Sequence, residues 1–250
     1  TGGRFVLDTA RLTGANLKAQ SRGVYGPDGQ VAFKVDWTAE GPLSAGPVEI
    51  SGEATGDGAV TGSLSDLKID LMAKIDELDV PRLPLRDADL TLSFGRGGAG
   101  AAGRITLTAA SQYGPARARA DFALPESGVN LSDIAVNAGG VTLEGDLALR
   151  RATPSRADLR LAVGPGAILQ RGQIRGSVRI VDGAEAPIAE IDLSAEDAVP
   201  TGSDIALVAA RLTAEGPIDQ LPYRLAASGA ASGARFSFEG AGALAEAEQA

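Results

Sequence analysis

Three groups of residues in this chain have types and spacings that could do chemistry. The run Gly95-Arg96-Gly97-Gly98-Ala99-Gly100 has the G-x-G-x-x-G spacing that, at the start of a helix, sets backbone N–H groups against a pyrophosphate. The residues that follow, Arg104-Ile105-Thr106-Leu107-Thr108, alternate as a strand does, so the spacing reads as a hairpin loop. Carboxylates gather at Asp76-Glu77-Leu78-Asp79, Asp87 and Asp89, and again at Glu190, Asp192, Glu196 and Asp197. Paired carboxylates can hydrolyse glycosides and oxygen clusters can hold Ca²⁺. Neither cluster has calcium-loop spacing, and Asp87 and Asp89 fall by alternation opposite Leu90 and Leu92, which fits a solvated outer face. No serine stands in a G-x-S-x-G elbow, and no histidine exists to activate one. With neither His nor Cys, thiolate chemistry and the usual metal ligand are also missing. The expectation is a protein that is not an enzyme, with no catalytic residue, metal site or cofactor.

The elements around these groups are strands. Val31, Phe33, Val35 and Trp37 alternate with Ala32, Lys34 and Asp36, and Leu67, Ile69 and Leu71 with Lys68 and Asp70. The same form returns at Leu90-Leu92-Phe94, Ile105-Leu107, Leu159-Leu161-Val163, Ile191-Leu193, Ile205-Leu207, Leu221-Tyr223-Leu225 and Phe236-Phe238. Turn signals fall at Gly26-Pro27-Asp28-Gly29, Asp57-Gly58, Asn137-Ala138-Gly139-Gly140 and Asp182-Gly183. Roughly 8 to 13 residues per strand and turn predicts antiparallel hairpins rather than βαβ crossovers. Helix is confined to one turn over 167–171 and to the tail 241–250, where Leu244, Ala245 and Glu246 have helical propensity. About 18 strands stacked at ~4.8 Å would make one sheet about 80 to 90 Å long.

Composition limits the partners. A formal charge of −9 argues against nucleic acid. No apolar run approaches the ~20 residues of a membrane span. The core is built of Ala, Leu, Val and Ile, with six Phe, three Tyr and one Trp, and the 33 glycines are roughly twice the usual ~7%. Residues 1–250 read as one continuous repetitive β segment of a longer protein.

The glycines follow a pattern: apolar, any, Gly, any, apolar. It stands at Ile50 to Ala54, Val60 to Leu64, Leu143 to Leu147, Ile174 to Val178 and Ala214 to Ile218, with weaker copies at Ala39 to Leu43, Ala101 to Ile105 and around Phe238 to Leu244. Residues two apart share a strand face, so these glycines belong to the apolar face, as bends or clearances. Alternation alone favours two such faces covering each other in a β-sandwich. The scarcity of large aromatics and the glycines on the inner face favour an uncovered groove instead.

The stretch from Ser127 through Ile134-Ala135-Val136-Asn137-Ala138-Gly139-Gly140-Val141-Thr142-Leu143-Glu144-Gly145-Asp146-Leu147 to Leu149 resembles the repeats of the TamB branch of the AsmA-like, bridge-like lipid-transport family. So does Ala210-Arg211-Leu212-Thr213-Ala214-Glu215-Gly216-Pro217-Ile218, and YhdP- and YdbH-type members share the pattern. The resemblance implies an elongated, curved antiparallel sheet of repeated hairpins, a β-taco with an apolar concave face. It further implies a middle segment of a periplasmic protein anchored in the inner membrane of a Gram-negative bacterium. Such proteins conduct phospholipids toward the outer membrane, and TamB is linked there to the barrel-assembly partner TamA. On this reading Phe33, Val35, Ile69, Leu92, Leu107, Leu143, Leu147, Leu161, Val178 and Phe236 line the path and contact phospholipid acyl chains. The alternatives are a closed structural spacer and a chaperone-like groove for outer-membrane β-strands.

Overall fold

The computed structural model describes residues 3–45, 48–63, 65–97, 100–151, 153–183 and 186–245. Among them the chain is all-β and antiparallel, as the alternation predicts, with 17 strands and no helix. It forms two compact units, Thr1–Pro125 and Glu126–Ala250.

The first unit holds β1 (Phe5–Thr13), β2 (Leu17–Tyr25), β3 (Gln30–Glu40), β4 (Leu43–Ala45), β5 (Val48–Ser63), β6 (Asp66–Val80), β7 (Leu83–Gly97), β8 (Gly100–Ser111) and β9 (Gly114–Leu124). Each pairs with the next, except that β3 and β4 both pair with β5. The second unit is an uninterrupted meander of β10 (Gly128–Ala138), β11 (Val141–Arg150), β12 (Thr153–Val163), β13 (Leu169–Val181), β14 (Ile188–Pro200), β15 (Ile205–Pro217), β16 (Gln220–Ala231) and β17 (Ala234–Ala245).

Three turn signals sit where the sequence puts them. At Gly26-Pro27-Asp28-Gly29 the Gly26 N–H donates to the Gln30 carbonyl at 2.8 Å, and Asp28 Oδ1 accepts from the Gln30 N–H at 3.2 Å. Gly139 and Gly140, with φ of 57° and 85°, make the two-residue connection of β10 and β11, a turn needing positive φ at both positions. Asp182-Gly183 follows β13. Asp57-Gly58 is different: it lies in the middle of β5, with Asp57 opposite Asp36 and Met72. Gly58 is small because the Leu71 side chain lies over it, not because the chain turns.

The helical expectations give way to strand. Ala241 to Ala245 continue β17, and 246–250 lie outside the described residues, as do Leu64, Gly98 and Ala99. Residues 164–168 form a tight connection between β12 and β13. The Gly166 N–H closes a turn on Leu169 O at 2.7 Å, and two others reach a neighbouring hairpin, Gly164 to Gly140 O at 2.8 Å and Ala167 to Gly139 O at 2.8 Å, while the Thr201 N–H donates to Ile168 O at 2.8 Å. A Cβ on Gly166 would strike the Gly139 backbone, so only glycine permits this crossing.

Bulges re-phase the alternation at several points. Asp87, Asp133 and Asp197 have φ near +50°, and each begins or ends a pair of consecutive exposed residues between apolar ones. Ile75, Asp76, Glu77 and Leu78 read buried, exposed, exposed, buried, so Asp76 and Glu77 both face solvent while Leu78 returns to the apolar side. Gly52 sits in such a bulge and is exposed, off the apolar face.

Candidate functional site

Register joins the apolar positions of successive strands into rows that cross the sheet. In the first unit, Phe33, Val60, Ile69 and Phe94 follow one another across β3, β5, β6 and β7. The next row is Val35, Gly58, Leu71, Leu92 and Ile105, and the one beyond is Trp37, Gly56, Ala73, Leu90 and Leu107. The five residues expected to line a path here, Phe33, Val35, Ile69, Leu92 and Leu107, thus fall on three adjacent rows of one face, and each is half-buried.

In the second unit Leu143 and Leu161 are direct partners, in a row continuing through Gly176, Leu193, Leu212 and Leu225. Val178 stands in the neighbouring row with Leu159, Ile191, Ala214 and Tyr223. Leu147 belongs to the row after that, with Ala157, Ile180 and Ala189. Phe236 lies toward the other strand end, opposite Gly229. All five are half-buried. Two buried clusters border the Leu143 row: Ala157, Ile180, Ala189, Ala214 and Leu221, within the Val178 and Leu147 rows and beyond, on one side, and Val163, Leu169, Ala195 and Ala198 on the other. The large aliphatics of the Leu143 row therefore stand half-buried, while closed packing lies in the rows to either side.

Several glycines of this face are filled from the next strand, where the sequence suggests clearances. A Cβ on Gly176 would meet the Leu193 side chain, one on Gly103 the Phe122 ring, one on Gly56 the Trp37 indole and one on Gly23 the Phe33 ring. A large side chain from the adjacent strand leans over each glycine and fills its place, a device that pins register. The result is a continuous apolar surface in which small and large positions interlock.

The opposite face carries the charges. Arg104 grips Asp121 through two hydrogen bonds, the Nη2–Oδ2 one at 2.8 Å, and this bonding holds the Asp121 carboxyl below the usual carboxylate range. Arg211 pairs with Asp192 across β14 and β15 at 2.7 Å, which raises the guanidinium's affinity for its proton. Glu196 accepts from Gln173 Nε2 at 2.7 Å. The carboxylates at Asp76, Glu77, Asp79, Asp87, Asp89, Glu190 and Asp197 are exposed, and among the described residues no group of three acids is placed to hold a metal ion. Depressions on this side, one of about 670 Å³, are floored by the backbone of one apolar row and walled by polar rows such as Gln20, Asp36, Asp57 and Thr91. The G-x-G-x-x-G run joins two paired strands, with Gly97 opposite Gly100, and no helix follows it.

Set against protein-family models, curated proteins and solved structures, the chain matches none.

Proposed function

We propose that this chain is a segment of a bridge-like envelope protein whose apolar sheet face carries phospholipid acyl chains across the periplasm. The observation that carries the reading is the uncharged aliphatic row Leu143, Leu161, Gly176, Leu193, Leu212 and Leu225, half-buried along its length although larger buried clusters lie on either side. A row meant only for a core gains by being covered completely, since each buried CH₂ contributes about 0.8 kcal/mol. A row that meets a mobile acyl chain gains the same stabilisation when the chain arrives. The headgroup stays in water, and no catalytic group or cofactor takes part. The full protein would be anchored in the inner membrane and deliver lipid toward the outer membrane, with a barrel-assembly partner there.

Leu161→Arg tests this. The variant sets a charge in the middle of the row, between Leu143 and Gly176. Purified from the periplasm of a Gram-negative host, wild type should carry phospholipid detectable by mass spectrometry. The variant should lose most of it while keeping its far-ultraviolet β spectrum. Equal lipid in both proteins, or none in wild type, contradicts the proposal, and unfolding of the variant favours a closed spacer.

A further inference from the structure

We infer that Arg96 is the headgroup contact of the first unit's apolar face, holding the phosphate of a phospholipid whose acyl chain lies on the rows behind it; the inference rests on the proposed function. Arg96 is opposite Leu67 and Ala101, and it stands two residues beyond Phe94 and four beyond Leu92 in an unbroken stretch of ladder. Its side chain therefore issues from the apolar face. Its row is the outermost one, shared with Tyr25, Val31, Gly62, Leu67 and Leu124.

The apolar rows described above for this unit hold no other charged residue, and Arg96 is exposed and makes no ion pair among the described residues. In a chain with net charge −9, the other face offers carboxylates in plenty. Arg96 nevertheless belongs to the apolar face, one row beyond Phe94 and Phe122, whose stacked rings have centroids 6.3 Å apart. An arginine stem lies along apolar surface while its head reaches water, which copies the division of an amphiphile into tail and head. Its planar fork binds phosphate oxygens in pairs. From Leu90 to Arg96 the strand runs about 20 Å, an apolar bed ending at one cation. The glycine-rich run lacks the helix of a nucleotide cradle but contributes this cation by another route.

The test measures binding of two soluble probes, dioctanoyl phosphatidic acid and uncharged dioctanoylglycerol, to the full chain and to Arg96→Gln and Arg96→Lys. Wild type should prefer phosphatidic acid about tenfold. R96Q should lose that preference with dioctanoylglycerol binding unchanged, and R96K should keep most of it. If R96Q retains the preference, the assignment of Arg96 is overturned and the acyl-binding face stands. If neither probe binds wild type, both are overturned.

Discussion

Gly145→Val is expected to destabilise the second unit by about 3 kcal/mol. Gly145 has φ of 134°, a conformation that L side chains rarely adopt. A Cβ there would strike the carbonyl of Asp158 on β12, which is backbone and cannot swing aside. The demand for glycine comes from across the ladder. The β10 bulge at Ser132 and Asp133 shifts register between Leu131 and Ile134, and Asp146 Oδ1 accepts the Asp133 N–H at 3.0 Å to hold it. Gly14→Ala is the control. Its Cβ would lie 3.5 Å from the Leu17 carbonyl, an ordinary contact, and should cost less than about 1 kcal/mol. Urea unfolding of the two variants beside wild type measures the difference, and equal midpoints would contradict it.

Leu169→Ala should cost about 3 to 4 kcal/mol, against about 1 kcal/mol for Leu161→Ala. Both are leucines of the second unit's apolar side, yet their surroundings differ. Leu169 is 1% exposed, packed with Val163, Ala195 and Ala198 beneath the 164–168 connection, so its removal leaves a cavity. Leu161 is only half-buried and packs against the edge of that same cluster from the Leu143 row, so its truncation removes less buried surface. The contrast separates closed packing from a partly exposed row. In denaturant melts a fully closed core would make the two costs equal.

The alternation of Val31 to Trp37 and the Gly139-Gly140 signal were enough to read β3 and the β10–β11 hairpin, because both are local. The face membership of Phe33, Val35, Leu143 and Leu161 was legible for the same reason. What the sequence hid depends on partners far along the chain. Asp57-Gly58 has the composition of a turn, and only the Leu71 side chain over Gly58 explains it as strand. The bulges at Asp76 and Glu77 and at Asp197 slip the period by one residue, which a strict count of two misses. Residues 167–171 look helical until Gly139 and Thr201 are brought beside them. Arg96 was obscured by the glycines around it, and its face follows only from its pairing with Leu67.

The claim that the apolar face meets lipid is tested most directly by a photoreactive amino acid placed at Leu161 and, separately, at Arg160. These adjacent residues point to opposite faces of β12, Leu161 half-buried in its aliphatic row and Arg160 exposed opposite Glu144. Irradiated in cells and analysed by mass spectrometry, the protein should carry phospholipid adducts at position 161 and none at 160. Polypeptide adducts in their place, no adduct at 161, or equal lipid capture at both positions would contradict the account.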